Sequence, residues 1–94
     1  MTIVWSPRAL EHLTHLRSSI ARDNPKAANP VAGTLRDAVE RLAELPNLGR
    51  PGRVAGTREL VAPGTPYVIP YRLQGGRLEV IAVFHARQKW PTQL

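Results

Sequence analysis

The spacing of apolar residues changes near Gly49, and this change constrains the fold more than any other feature of the sequence. Before Gly49, apolar residues recur at helical spacing in two stretches, which are Leu10, Leu13, Leu16 and Ile20, then Leu35, Ala38, Val39, Leu42 and Leu45. After Gly49, short β-branched and aromatic runs are separated by glycine and proline. The sequence therefore predicts a helical hairpin followed by a small sheet, an α+β arrangement.

Local signals place the ends of the two helices. Residues 2–5 favour a short first strand, and Ser6-Pro7 supplies an N-cap followed by proline at the first helical position. Asn24 and its neighbours end the first helix and are a candidate cap for the second, and residues 46–49 end the second. Pro30 leaves two possibilities near the start of the second helix: Asn29 is the true cap, or the first turn is weak or bent, which we favour.

Three strands are predicted in the second half of the chain, over residues 58–62, 67–73 and 78–85, with a tight hairpin turn at 74–76. Pro70 has no N–H to donate to a ladder, so it predicts an edge position or a bulge in the middle strand. The expected order is β-αα-βββ in a single domain, residues 1–94. The helical hairpin packs on one face of a small, mostly antiparallel sheet.

The last predicted strand is apolar on both faces. Strict alternation would point Leu78, Val80, Ala82 and Phe84 one way and Ile81 and Val83 the other. Two helices can cover only one face. Either the tail 86–94, with Trp90, folds over the far face, or that face is left for another chain.

Composition narrows the class of protein. The chain has 94 residues and no cysteine, so no disulfide, thiolate nucleophile or cysteine-ligated metal is expected. His12 and His15 form an i,i+3 pair without an evident third ligand, and neither a metal nor a cofactor is expected. The sequence contains no signal-peptide pattern and no apolar run long enough to cross a membrane, so we expect a cytoplasmic protein without membrane contact.

Positive charge is concentrated in the second half. The net charge is +6, and from Arg50 onward there are seven basic residues and only two acidic ones, Glu59 and Glu79. Most of these basic residues are arginines, which suit bidentate recognition of phosphate or carboxylate. This segregation favours an anionic partner, either nucleic acid or an acidic protein segment.

Several stretches together resemble the RelE/ParE superfamily of toxins from type II toxin–antitoxin systems. They are the opening Trp-Ser-Pro-Arg-Ala, the helical hairpin, the basic loop into Arg58-Glu59-Leu60-Val61, the strand ending Tyr71-Arg72, and the final His85-Ala86-Arg87 followed by Trp90-Pro91. The resemblance covers nearly the whole chain. It implies a complex with a cognate antitoxin, a toxin–antitoxin hetero-oligomer that arrests growth when the toxin is free.

Two mechanisms occur in that superfamily, and each assigns different roles to the basic residues. A RelE-like toxin cuts mRNA on the ribosome, and the resemblance would then make Arg72, Glu59 and His85 catalytic. A ParE-like toxin poisons DNA gyrase without catalytic residues. Under either mechanism the target- or phosphate-binding candidates are Arg50, Arg53, Arg58, Arg87 and Lys89.

Three departures favour the ParE-like interpretation. The loop at residues 50–56 has no lysine, no tyrosine follows Tyr71, and only a few residues follow Trp90. RelE-like nucleases are expected to carry lysines and a C-terminal tyrosine in these places. A third hypothesis, a small basic nucleic-acid-binding module, predicts affinity that falls steeply with salt, but the chain has no recognised reading motif.

Overall fold

The computed structural model describes residues 1–94 as two helices and six short strands. The elements are β1 (Thr2–Trp5), α1 (Pro7–Asp23), α2 (Pro25–Arg41), β2 (Arg50–Pro51), β3 (Arg58–Val61), β4 (Tyr67–Gln74), β5 (Arg77–Val80) and β6 (Phe84–His85). The strand order is β1-β5-β4-β3-β2, with β6 paired to β4. Only the β1–β5 pair is parallel. The predicted α+β fold, a helical hairpin on one face of a mostly antiparallel sheet, is confirmed.

The start of α1 is attached to the sheet through Ser6. Its Oγ accepts a hydrogen bond from the Ala9 N–H at 3.0 Å, as an N-cap does, and donates one to the Ile81 carbonyl at 2.7 Å. The Ser6 N–H also donates to the Val80 carbonyl, at 3.0 Å. The predicted cap is therefore confirmed, and it also fixes the angle at which the helix leaves the sheet.

The second helix begins at Pro25 with Asn24 as its N-cap residue, which is one of the predicted starts, but it ends earlier than predicted. Pro30 therefore lies inside the helix, and Asn29 is not its cap. The helix ends at Arg41, where the Leu42 N–H bonds to the Val39 carbonyl, three residues back, in a tightened turn. Leu45 then lies in the connecting turn with half of its surface exposed, so its predicted place in the apolar stripe is wrong.

The main core lies between the helical hairpin and the sheet. It comprises Ala9, Leu16, Leu35, Ala38, Val39, Leu42, Leu60, Ala62, Ile69, Tyr71, Leu78, Val80 and Val83. Tyr71 is the largest of the fully buried side chains. No helix of this structure is both long enough and apolar enough to cross a membrane.

A β-bulge interrupts the strand predicted for residues 78–85. Tyr71 lies opposite Val80 and Val68 opposite Phe84, so two residues of β4 face three residues, 81–83, on the other chain segment. Pro70 lies at this point in a central strand; it has no N–H, and its carbonyl accepts from the Ile81 N–H at 2.9 Å. A bulge therefore lies beside Pro70, but its extra residue is on the neighbouring segment 81–83 and not in the middle strand, where it was predicted.

The bulge reverses which residues face the helices. Val83 joins the main core, whereas Ile81, Ala82 and Phe84 form a second cluster. The predicted alternation holds for Ile81 but is wrong from Ala82 onward, since Ala82 and Phe84 lie on the face opposite Leu78 and Val83 lies on the same face as Leu78. The C-terminal tail covers this second cluster with Trp90 and Leu94, and the Phe84 and Trp90 rings lie 4.6 Å apart. Coverage by the tail, one of the two possibilities for the far face, is confirmed.

Candidate functional site

Glu59 lies on β3, and its side chain binds two arginines of the basic segment that precedes this strand, Arg50 and Arg53. Its neighbour Leu60 packs in the core, so alternation directs Glu59 to the face of the sheet away from the helices. Its side chain is only 2% exposed. Its carboxylate accepts four hydrogen bonds, three from the N–H, Nε and Nη2 of Arg53 at 2.8, 3.0 and 3.2 Å and one from Arg50 Nη2 at 3.1 Å.

These hydrogen bonds determine the ionisation of Glu59. Burial raises the pKa of Glu59, but the hydrogen bonds from Arg53 and Arg50 outweigh burial and hold that pKa below its ordinary value. A carboxylate has about four acceptor positions, and here four donors occupy them. Glu59 is therefore an ionised anchor for the loop.

Arg53 also connects the basic loop to the C-terminal tail. Its guanidinium carbon lies 3.6 Å from the centre of the Trp90 ring, a cation–π contact. The loop itself closes tightly, since the Gly52 N–H donates to the Thr57 carbonyl at 2.8 Å. A Cβ at Gly52 would lie 2.2 Å from Thr57 Oγ1, so the loop requires glycine at this position. Glu59, Arg53 and Trp90 thus hold loop, sheet and tail together.

The turn before β2 is fixed by Tyr71 and Arg58. The Tyr71 hydroxyl donates to the Pro46 carbonyl at 2.7 Å and accepts from the Gly49 N–H at 2.9 Å. Arg58 Nη1 donates to the Gly49 carbonyl at 2.7 Å. Burial raises the pKa of Tyr71 above its ordinary value, so this hydroxyl stays protonated. The guanidinium of Arg58, predicted to bind phosphate, is used within the chain.

Arg72 lies on the same face as Glu59 and pairs with a carboxylate. It is directly opposite Glu79 in the β4–β5 ladder, and the two charged groups are 3.4 Å apart. Both side chains are partly exposed, so this pair adds little to stability. Its main effect is to neutralise the charge of Arg72.

His85 lies on the other side of the sheet. It is opposite Tyr67, which packs against the main core, and cross-strand partners share a face. There it lines a cleft of about 600 Å³ with all the other histidines of the chain, His12 and His15, and with Arg22. Sequence analysis missed this grouping, because it depends on the pairing of β6 with β4.

Two of these histidines are held by backbone amides. The Val83 N–H donates to His12 Nδ1 at 3.1 Å, and the Arg87 N–H donates to His85 Nδ1 at 3.1 Å. Burial, followed by the charge of Arg8, lowers the pKa of His12, so this imidazole is neutral at neutral pH. No three histidine, aspartate or glutamate side chains in the structure converge closely enough to hold a metal ion.

The structure thus places the predicted site residues at four separate locations. Arg50, Arg53 and Glu59 come together, with Arg72 on the same face and paired to Glu79. His85 is separated from them by the sheet, and Arg58 is bound to backbone carbonyls. Arg87 and Lys89, in the exposed tail, form no ion pair.

Comparisons with known proteins agree on the class of protein that this fold defines. The family model described as the ParE toxin of the type II toxin–antitoxin system parDE matches residues 3–90. The chain is 46% identical to the putative toxin Y4kP of Sinorhizobium fredii, over 98% of this chain and 95% of that protein. It is 40% identical to the toxin RelE2 of Caulobacter vibrioides, over 89% and 93% of the two chains.

A solved structure supports the fold independently. A chain of the chromosomal ParDE toxin–antitoxin system from P. aeruginosa superposes with a TM-score of 0.85, at 23% identity, over 90% of this chain and 95% of that one. The protein belongs to the ParE toxin family, within the RelE/ParE superfamily. It is the toxin of a type II toxin–antitoxin system, and its partner is an antitoxin.

Proposed function

We propose that this toxin acts in the ParE manner, by poisoning DNA gyrase in the cytoplasm, and that its antitoxin silences it in a toxin–antitoxin hetero-oligomer. The observation that carries the proposal is the state of Glu59. Cleavage of RNA requires a group that removes a proton from the 2′-hydroxyl and another that protonates the leaving 5′-oxygen. Glu59 has a lowered pKa and accepts four hydrogen bonds, so it is a poor proton acceptor.

The other two residues of a nuclease site also argue for this proposal. Arg72 is paired with Glu79, and His85 lies across the sheet from both Arg72 and Glu59. A general acid and a phosphate clamp must contact the same phosphodiester within hydrogen-bonding distance. This separation favours inhibition by binding over RNA cleavage.

We place the main contact with gyrase at Arg87 and Lys89. Both side chains are exposed, and neither forms an ion pair. Arg50 and Arg53, by contrast, share the charge of Glu59. Unpaired cations on a surface contribute most to recognition of an anionic partner, since they need not break an existing pair.

The experiment compares two activities of the same purified toxin. Gyrase is assayed for supercoiling of relaxed plasmid and for cleaved DNA complexes, while translating ribosomes are assayed for cuts in mRNA by primer extension. We expect loss of supercoiling, accumulation of cleaved DNA and intact mRNA. The double variant Arg87→Ala/Lys89→Ala should weaken the inhibition by about tenfold or more. The matched control is Arg17→Ala/Arg36→Ala, which removes two exposed, unpaired arginines from the helices.

Two relatives are named RelE, so RNA cleavage is the alternative that this experiment must distinguish from gyrase poisoning. Codon-positioned cuts in mRNA with unaffected gyrase, abolished by Arg72→Ala, would show a RelE-like ribonuclease and overturn the proposal. Equal loss of gyrase inhibition in the tail variant and the helix variant would refute the placement of the contact at Arg87 and Lys89.

A further inference from the structure

An apolar groove of about 390 Å³ lies at the edge of the sheet beside β3. Leu48 and Val61 line it, and Leu45 lies in the turn that leads to Leu48. These three side chains are 48%, 47% and 51% exposed, and they are three of the five most exposed large hydrophobic residues in the chain. Apolar surface gathered in one place, rather than scattered, indicates a surface that another molecule covers.

The backbone beside this groove has an unpaired edge. The Ala62 N–H donates to the Tyr67 carbonyl on β4 at 3.1 Å. Backbone groups alternate in direction along a strand, so the N–H and C=O of Val61 point to the outer side. The neighbour of β3 on that side is β2, and its first residue, Arg50, pairs with Glu59. Because the two strands are antiparallel, β2 does not extend as far as Val61. An open edge of this kind can accept a strand from another chain.

Charge determines the chemistry of the strand that fits. Arg41 and Arg50 both line the groove, and Arg41 has no ion pair. The acid among the lining residues is Glu59, which is buried and already bonded to Arg50 and Arg53. The groove thus combines an apolar floor with a positive rim. It complements an extended segment that carries apolar side chains and a carboxylate.

We propose that this groove is where an extended, acidic segment of the antitoxin docks. The segment pairs with the N–H and C=O of Val61, packs apolar side chains on Leu45 and Leu48, and places a carboxylate between Arg41 and Arg50. The proposal rests on the antitoxin partner, and it is independent of the cellular target. A second copy of the toxin is disfavoured as occupant, because it would bring the same arginines and a second net charge of +6 to the interface.

The first test measures the affinity of purified toxin variants for the full-length cognate antitoxin by calorimetry. Leu48→Glu and Val61→Glu each place a negative charge in the groove, which repels the acidic segment of the antitoxin. Each variant should weaken binding by about tenfold or more. Leu10→Glu is the matched control, since Leu10 is 51% exposed and lies on α1, outside the groove. It should bind within about twofold of the wild type.

A second pair of variants tests the charge separately from the apolar contact. Arg41→Glu should weaken antitoxin binding strongly, whereas Arg36→Glu, on the same helix but outside the groove, should not. The Val61 amide should exchange its hydrogen more slowly in the wild-type complex than in the free toxin. Circular dichroism and melting curves of every variant show whether its fold is retained.

Three outcomes would overturn the proposal. One is antitoxin binding by the groove variants as tight as that of Leu10→Glu. Another is protection of the outer edge of β1, Thr2–Trp5, in place of Val61. The third is self-association of the wild-type toxin that Leu48→Glu abolishes, which would make the groove a toxin–toxin interface. Failure of the toxin to inhibit gyrase would instead refute only the proposed target, because the affinity for antitoxin is measured without gyrase.

Discussion

Replacing Tyr71 by phenylalanine isolates the contribution of a single buried hydroxyl. The change leaves the ring in the core and removes the two hydrogen bonds to the Pro46 carbonyl and the Gly49 N–H. Gly49 is buried, so its amide loses its partner without access to water, whereas Pro46 is half-buried. The orphaned Gly49 amide should cost about 1–3 kcal/mol, and the lost hydrogen bond to Pro46 about 1 kcal/mol more. Tyr71→Phe should therefore lower the free energy of unfolding by about 2–4 kcal/mol.

The assay is urea unfolding followed by circular dichroism, with Tyr67→Phe as control. Tyr67 lies on the same strand, and its hydroxyl has no partner in the protein, so its loss should cost less than about 0.5 kcal/mol. For a chain of this size, the loss at Tyr71 corresponds to a melting temperature lower by roughly 10–25 °C. A loss below about 1 kcal/mol, or an equal loss in both variants, would refute the argument from buried polar groups.

The pH dependence of the same variant gives a second check. Burial raises the pKa of Tyr71 in the folded state, so the folded protein favours the neutral hydroxyl. This contribution to stability is fully present below the unfolded pKa of about 10 and is lost as the pH rises through the folded pKa. The wild type should therefore lose more stability in alkaline solution than Tyr71→Phe does. Identical alkaline profiles would show that the hydroxyl is not buried as described.

Three further substitutions test other contacts by unfolding measurements. Glu59→Gln should cost about 1–3 kcal/mol at pH 7, since the paired arginines are about half exposed. Because the pKa of Glu59 is lowered, the wild type should lose this contribution as the pH falls below about 4, and a wild-type advantage that persists at pH 2 would contradict the assignment. In His12→Asn, the new side chain still accepts a hydrogen bond from the Val83 amide, but it cannot be protonated. Burial lowers the pKa of His12, so only the wild type should lose stability as the pH falls below about 6.5. Gly49→Ala should cost at least about 1–3 kcal/mol, because its Cβ would lie 2.6 Å from the Tyr71 hydroxyl, whereas Gly33→Ala, with nothing within 4 Å, should be neutral or stabilising.

Features controlled by neighbouring residues could be predicted from the sequence. Ser6 and Pro7 start α1 because an N-cap and a proline at the first position act within one turn. Gly75 and Gly76 form the hairpin turn at φ values of 58° and 75°, a conformation that other residues rarely adopt. These local signals were sufficient for the α+β fold and for the β-αα-βββ order of its longer elements. They did not predict β2 at Arg50–Pro51 or the division of the last predicted strand into β5 and β6.

Features that depend on pairing between distant segments could not be predicted. The extra residue at 81–83 becomes evident only when β4 is aligned with both β5 and β6. For that reason the faces of Ala82 and Phe84 were wrong, and the cleft of histidines around His85 was missed. The same limit applies to Glu59, since its burial follows from a loop that folds back to bring Arg53 onto it.

Because of the bulge, the length of the segment 81–83 is as important as its composition. Phe84 anchors the tail on one side of the sheet, while His85 faces the cleft beside α1 on the other. Both positions depend on the three residues between Val80 and Phe84. Side chains alternate between the two faces of a strand, so the one extra residue in this segment moves every later side chain to the opposite face. Loss of a single residue there would exchange the two faces, exposing the aromatic anchor of the tail and directing the imidazole away from α1. Homologous toxins should therefore tolerate substitutions in this segment more readily than insertions or deletions.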